Sequence, residues 1–312
     1  MQGKGELQRP KRVELQIPAS TSNLGPGFDA IGLALSLFNQ FLFERIESGL
    51  EIVVEGEGKH LLELRTGNRT HRAFQAASEI LGNKVSGIRI VQHNSIPLAR
   101  GLGGSGTAVL AGTIAAFLFA GIEPERSRIL DQSFTIETHP DNITPSLVGG
   151  LTVSALDAGH VHYVRVNPPS NLRAVILVPE QGMSTAEART VVPRQFSRED
   201  TVFSIRGAAM LMAALATNQL DKLSLAMRDR LHQPYRSALM PGMAEIFEAA
   251  LGAGSPGVAL SGAGSGVLAF AYPENEKAIG DAMKATAAQF RMNAYNLFLP
   301  LNTDGLKIVE VS

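Results

Sequence analysis

Between Pro97 and Thr107 the chain reads PLARGLGGSGT, a loop with glycine at 101, 103, 104 and 106. The residues after it have a helical pattern over 103–119, with Ala108, Leu110, Ile114, Phe117 and Leu118 as the apolar positions. The loop therefore sits on a helix N-terminus, where unpaired N–H groups and the positive end of the macrodipole favour an anion. Its glycines let backbone amides approach that anion without Cβ obstruction. Gly101, Gly103 and Gly106 formally satisfy G-x-G-x-x-G, but the dinucleotide motif needs a strand ending at its first glycine, and the strand over 87–92 stops about eight residues short. No Gly-Lys-Ser/Thr is present after the loop, which excludes a Walker A motif. One helix end contributes only ~0.3–2 kcal/mol to holding an anion, so a triphosphate needs several amides and a cation. Ser105 offers that cation a hydroxyl. On the loop alone, a glycine-rich cap with no ligand stays open.

Around this loop, the patterning predicts strands at 12–17, 50–56, 87–92, 149–156, 160–166, 172–179, 257–260, 267–272, 293–300 and 305–311. The apolar stretch 27–43 reads as two strands with a bend near Asn39. Further helices are predicted at 69–81, from Pro124 to Glu137, at 199–217, 219–229 and 241–251, and from Pro273 to Phe290. Strands and helices mix without strict alternation, which favours an α+β fold over a doubly wound sheet. Residues 1–11 read as a flexible tail, 12–168 as one domain and 169–312 as a second, divided near Pro168-Pro169-Ser170.

Several functions are excluded early. A net charge of −1 gives no footprint for nucleic acid or an anionic membrane. The absence of cysteine removes disulfides, thiolate catalysis and thiolate metal sites, and fits a reducing cytoplasm. The polar opening MQGKGELQRPKR is not a secretory signal, and the apolar run within 107–120 is too short to span a bilayer.

Three further stretches carry chemistry. PASTSNLGPGFDAIGLAL at 18–35 sets Asn23 and Asp29 about a tight turn, where an amide and a carboxylate can hold an ammonium group; an Asx-type turn with solvated ends is the plainer reading. ETHPDNITPSLVGG at 137–150 packs Glu137, His139, Asp141 and Asn142 between a helix end and a strand. A helix C-terminus disfavours the Glu137 carboxylate, and a bound cation would remove that penalty. SGAGSG at 261–266 is a second glycine loop that could close over a substrate.

Together with STAEARTVVP and DRLHQPYR, these stretches resemble, in order, the homoserine kinases of the GHMP kinase superfamily, from about residue 12 to the C-terminus. The resemblance implies a ribosomal-S5-like N-terminal domain, a ferredoxin-like C-terminal domain and an active site between them. It implies ATP-dependent phosphorylation of the L-homoserine side-chain hydroxyl, with ATP and Mg²⁺ as cofactors, on the route to threonine. Asn23 and Asp29 would hold the substrate ammonium end, and Arg189 and Arg236 its carboxylate. His139 and Asn142 would line the substrate pocket, with Thr185 near the transferring phosphate. Pro97, Leu98, Ala99, Arg100, Gly101, Leu102, Gly103, Gly104, Ser105, Gly106 and Thr107 would wrap the phosphates, with Asn68 near the adenine. Ser105 and Glu137 would face Mg²⁺, with Asp131 as the other acidic candidate. The partner is a small molecule, with no nucleic acid and no membrane; a homodimer is left open.

Two departures bear on this. Gly104 and Gly106 interrupt the family's GLGSSAA, and Ser265 and Gly266 replace the Pro-Thr of its second loop, so both loops are expected to be more mobile. Other GHMP kinases carry an aspartate base where this chain has Asn142. An amide accepts no proton at neutral pH, so the hydroxyl is expected to attack without a strong base, oriented by Asn142, with Asp141 as the fallback base. Another GHMP kinase, for threonine or an isoprenoid alcohol, and a non-catalytic ligand-binding relative are the competing readings.

Overall fold

The structure is a computed structural model that describes residues 9–62 and 67–312. Residues 1–8 of the expected tail lie outside the described residues, and at its other end the Lys11 N–H already donates to the Ser312 carbonyl.

The first half of the chain runs β1 (Arg12–Asn23), β2 (Gly27–Arg45), β3 (Gly49–Gly56), α1 (Lys59–Leu62), α2 (Arg69–Ile80), β4 (Gly87–Asn94), α3 (Gly104–Phe119), α4 (Arg126–Phe134), α5 (Pro140–Val148), β5 (Leu151–Asp157) and β6 (His160–Val166). The second half runs β7 (Arg173–Pro179), α6 (Thr185–Thr190), α7 (Arg198–Ala216), α8 (Leu223–Ala226), α9 (Gln233–Arg236), α10 (Met243–Gly252), β8 (Val258–Leu260), β9 (Val267–Ala271), α11 (Glu276–Gln289), β10 (Ala294–Pro300) and β11 (Lys307–Val311).

Two sheets organise these elements. The larger has the order β11-β1-β2-β4-β3, with β5 and β6 continuing from the other half of β2. The smaller has the order β10-β7-β9-β8, all antiparallel. With helices between β7 and β8 and between β9 and β10, this is the β-α-β-β-α-β plan of a ferredoxin-like domain. The α+β expectation holds. The smaller sheet is drawn wholly from 169–312, but β11 returns to pair antiparallel with β1, so a boundary at 168 leaves the last strand on the other side of the division.

The segment 27–45 forms one strand rather than two. Its irregularity is a bulge in which Pro18 faces Phe38 and Ala19 faces Leu35. The bulge lets one strand serve two partners, β5 at 31–33 and β4 at 40–45. Asn39 lies just past it and is fully engaged. Its Nδ2 donates to Thr107 Oγ1, and its Oδ1 accepts from the Ser95 and Ile96 amides, which pins the approach to the first glycine loop.

Helix α3 is apolar all round and buried on nearly every side, as expected of a helix at the centre of a layered domain. It packs against α2, and Phe43, Phe74 and Phe119 meet there at 5.9 Å ring separations. In β7, Ala174, Ile176 and Val178 face a core shared with β2 and α7, while Val175 and Leu177 face α10 and α11. The residues Ile31, Leu33 and Leu35 of β2 belong to that shared core, so the two sheets are joined by apolar packing. Among the described residues, no helix is long and apolar enough to cross a membrane.

Close packing of α2 on α3 depends on Gly112, where an added Cβ would lie 2.2 Å from the Thr70 carbonyl oxygen and 2.7 Å from the Phe74 nitrogen. Replacing a helical glycine by alanine gains roughly 0.5–1 kcal/mol of helix preference, whereas overpacking costs about 1–3 kcal/mol. The obstruction is backbone, so the cost wins. Gly112→Ala is expected to lower the thermal midpoint by several degrees; an unchanged or higher midpoint would contradict this packing.

Candidate active site

A cavity of about 420 Å³ lies where the two glycine loops meet the β1–β2 turn and the N-termini of α3, α5 and α6. It brings together Asn23, Asp29, Asn68, Pro97, Leu98, Ala99, Gly101 to Ser105, Glu137, His139, Asp141, Asn142, Thr185, Arg189 and Arg236. Three members of the expected phosphate loop do not line it. Arg100 turns its side chain to the carbonyls of Leu98, Pro179 and Glu180, tying the loop to the smaller sheet. Gly106 packs toward Ile143, and Thr107 is buried between Asn39 and the Gly104 carbonyl.

Gly103 caps α3 in the left-handed region at φ 70°, and a Cβ there would lie 2.2 Å from Ser20 Oγ. A side chain at this position is thus excluded twice, by conformation and by space. The first N–H groups of α3, from Gly104 on, have no partner inside the helix. Beside them, Ser105 Oγ donates to Glu137 Oε2 at 2.7 Å.

Glu137 follows the end of α4 at Phe134, and its N–H donates to the Ser133 carbonyl at 2.9 Å, so it stands at the C-terminal end of that helix as expected. What stabilises its carboxylate is local. Burial alone would raise its pKa, but hydrogen bonds from His139 Nδ1 (2.8 Å) and Ser105, with the Arg69 guanidinium at 3.1 Å, together hold it below the usual value. A buried carboxylate kept ionised beside a hydroxyl would supply oxygen ligands of the kind a magnesium ion takes. Asp131 does not fit: it accepts from the Val161 amide and pairs with His160, away from the cavity.

The segment 137–150, read as a connection, holds a helix. Pro140 occupies N1 of α5, which places Asp141 and Asn142 in the first turn, both on the cavity. Asp141 is almost completely buried. Burial, then the nearby Asp29 charge, pushes its carboxyl up to about 6.

At the other end of the cavity, Asp29 and Arg189 form an ion pair of 2.7 Å. Asp29 sits in the left-handed region at φ 57°, and its N–H donates to Asn23 Oδ1. Asn23 Nδ2 donates to the Gly262 carbonyl at 2.8 Å. That carbonyl also accepts from Arg236 Nη1, whose other partner is His232 Nδ1 at 3.0 Å; Arg236 Nε donates to the Ala188 carbonyl. The Nη2 group of Arg236 makes no hydrogen bond among the described residues. Arginine only donates and a carbonyl only accepts, so His232 must be neutral: Nε2–H donates to the Gly25 carbonyl at 2.7 Å and Nδ1 accepts from Arg236. Burial pushes its imidazole down to about 4, in agreement. Burial, then the charge of Arg189, lowers Arg236 to about 10, which leaves it charged at neutral pH.

The loops expected to be mobile are tied together. Ser261 Oγ is within 2.9 Å of both the Gly101 carbonyl and Thr21 Oγ1, the Gly262 N–H reaches the Ser22 carbonyl, and Ser265 Oγ donates to the Gln181 carbonyl. Arg69, Phe28 and His232 escaped sequence reasoning. Arg69 directly follows Asn68, and His232 stands inside DRLHQPYR, but nothing local to either shows its partner.

The residues 68–150 match the family described as the GHMP kinases N terminal domain, and 211–289 match the GHMP kinases C terminal domain. The architecture and this cleft are therefore those of a GHMP kinase. The homoserine kinase of Halothermothrix orenii is 37% identical, over 94% of each chain, and that of Moorella thermoacetica is 40% identical, over 88% of this chain and 92% of its own. The crystal structure of homoserine kinase from Cytophaga hutchinsonii superposes with a TM-score of 0.86 at 27% identity, covering 99% of both chains. The chain belongs to the homoserine kinase family.

Asp141 gives the site a measurable pH signature. Its folded pKa of about 6 exceeds the ordinary 3.8, so its contribution to stability is complete below pH ~4 and is lost as pH rises through 6. At one pKa unit per ~1.4 kcal/mol, the burden at neutral pH is on the order of 2–3 kcal/mol. Asp141→Asn is expected to be more stable than wild type at pH 7, with urea midpoints converging toward pH 4. A difference independent of pH would refute the assignment.

Proposed function

We infer that this chain transfers the terminal phosphoryl group of ATP to the side-chain hydroxyl of L-homoserine. The observation that carries this reading is one cavity with two chemically distinct ends. One end has free amides at α3 with the Ser105–Glu137 pair; the other has Asp29 with Arg189 and Arg236, a set complementary to a zwitterion.

Phosphoryl transfer to an alcohol requires positioning and charge neutralisation more than covalent help. The loop from Pro97 to Ser105 would wrap the phosphates, with Asn68 near the adenine. Mg²⁺ at Ser105 and Glu137 would neutralise charge on the phosphate oxygens. Asn23 and Asp29 would take the ammonium group, and Arg189 and Arg236 the carboxylate. A planar guanidinium suits a carboxylate through paired hydrogen bonds. His139, Asn142 and Thr185 would line the path between the two ends. The substrate hydroxyl oxygen bonds to the γ-phosphorus as the bond to the bridging oxygen breaks, and its proton leaves late, to the transferred phosphoryl group. Asn142 orients the hydroxyl.

A second reading has Asp141 as general base, favoured by its raised pKa of about 6 and its place on the cavity. The two readings separate on turnover. With Asn142 as orienter, Asp141→Asn keeps kcat within roughly threefold while Asn142→Ala loses at least about tenfold, on the scale of a general-base loss of 10²–10⁴. The reverse order supports Asp141.

The function is tested by ADP release with ATP, Mg²⁺ and homoserine, with threonine and mevalonate as controls. Release with a control but not with homoserine overturns it. A charge-assisted hydrogen bond contributes about 1.5–3 kcal/mol. Arg236→Ala is therefore expected to raise the KM for homoserine at least ~10-fold, with the KM for ATP little changed. Equal effects on both substrates would move Arg236 out of the substrate pocket.

A further inference from the structure

The acidic and basic groups assigned to opposite ends of the substrate are bonded to each other. Arg189 Nη2 donates to Asp29 Oδ1 at 2.7 Å, between residues 160 positions apart. Both side chains are part exposed on the cavity wall. Arg189 Nε is buried without a hydrogen-bond partner, and Phe28 lies beneath both guanidinium groups, 5.7 Å from Arg189 and 5.4 Å from Arg236. Asp141 faces Asp29 from α5, and Arg236 faces Arg189 from α9. These two acidic and two basic side chains line the cavity, and the buried Asp229 carboxylate acts on Arg236 from behind it.

Resting on the function proposed above, we propose that Asp29 and Arg189 form a latch that selects zwitterions by exchange of ion pairs. A ligand with both charges opens it without loss. Its ammonium group takes the place of Arg189 on Asp29, and its carboxylate takes the place of Asp29 on Arg189. One ion pair becomes two, and the net charge of the cluster is unchanged. A ligand with only a carboxylate must break the same pair and leave Asp29 uncompensated, beside Asp141 and its own negative charge. A ligand with only an ammonium group leaves Arg189 uncompensated beside Arg236. Singly charged alcohols are thus rejected by the charge they strand, in addition to the bond they lack.

Two separate hooks would behave differently from a latch. If Asp29 served only as a hook, its removal would help a ligand with no ammonium group only by lifting repulsion between carboxylates, and the ligand-free enzyme would have no need of the Asp29–Arg189 pair. Asp29→Asn suits the test because asparagine tolerates the left-handed backbone at this position. Calorimetry on the full chain would compare L-homoserine with γ-hydroxybutyrate. In Asp29→Asn, homoserine is expected to bind at least ~10-fold more weakly, while γ-hydroxybutyrate binds up to about fivefold more tightly than in wild type, the range of an exposed ion pair. Arg189→Gln should give the mirror result, with tighter binding of aminopropanol. A crystal structure of the ligand-free enzyme should retain the pair, and one with homoserine should show it parted.

γ-Hydroxybutyrate binding no better in Asp29→Asn than in wild type, or a ligand-free crystal with Asp29 and Arg189 apart, would overturn the latch. Because the readout is binding, a wild-type protein that binds homoserine but releases no ADP would overturn the proposed reaction and leave the latch standing.

Discussion

The carbonyl of Gly262 accepts from Asn23 of the larger sheet's turn and from the buried guanidinium of Arg236 at once. Next to it, Ser261 Oγ reaches the Gly101 carbonyl of the phosphate-side loop. A Cβ on Gly101 would lie 1.7 Å from the Ser261 carbonyl oxygen. The two glycine loops therefore touch backbone to backbone, and the active-site groups on either side are spaced by that contact. Glycine is required here for proximity. The loops' serines then replace mobility with specific hydrogen bonds.

Electrostatics divides the cleft along its length. At the α3 end, a single buried carboxylate is kept ionised by His139, Ser105 and Arg69. At the other end, Asp29 and Asp141 stand opposite Arg189 and Arg236, with Asp229 behind them, and the burial of Asp141 and Arg236 weakens the charge preference of both. The His232–Arg236 bond, with His232 seated on the Gly25 carbonyl, holds one arginine in place, while Arg189 is part exposed on its pair with Asp29.

Much of the fold could be read from local pattern. The apolar course of α3, the hairpin about Asp157-Ala158-Gly159 and the glycine turn between β1 and β2 follow from periodicity and turn chemistry within a few residues. The misreadings have physical causes as well. Helix α5 opens on Pro140 and contains Pro145, so proline disguised it as a connection. Strand β2 continues through a bulge that its sequence presents as a bend. The segment 219–229 is helical only over 220–226, where a 3-10 turn at Leu220–Lys222 runs into α8, and past it the amides of Leu231, His232 and Gln233 turn onto the Asp229 carboxylate.

The order and chemistry of the motifs were set by the sequence alone: a glycine loop on a helix N-terminus, an amide and a carboxylate on a turn, and two arginines in later segments. Which carboxylate meets Ser105 was not, because Glu137 and Asp131 lie on the same short segment and only packing turns one inward. Nor were the joining of Asp29 to Arg189 and of Asn23 to Gly262, which span 160 and 239 positions. Local sequence encodes backbone needs over a few residues. Partners so far apart meet only because two sheets pack through a shared apolar core, and that packing is a property of the whole chain.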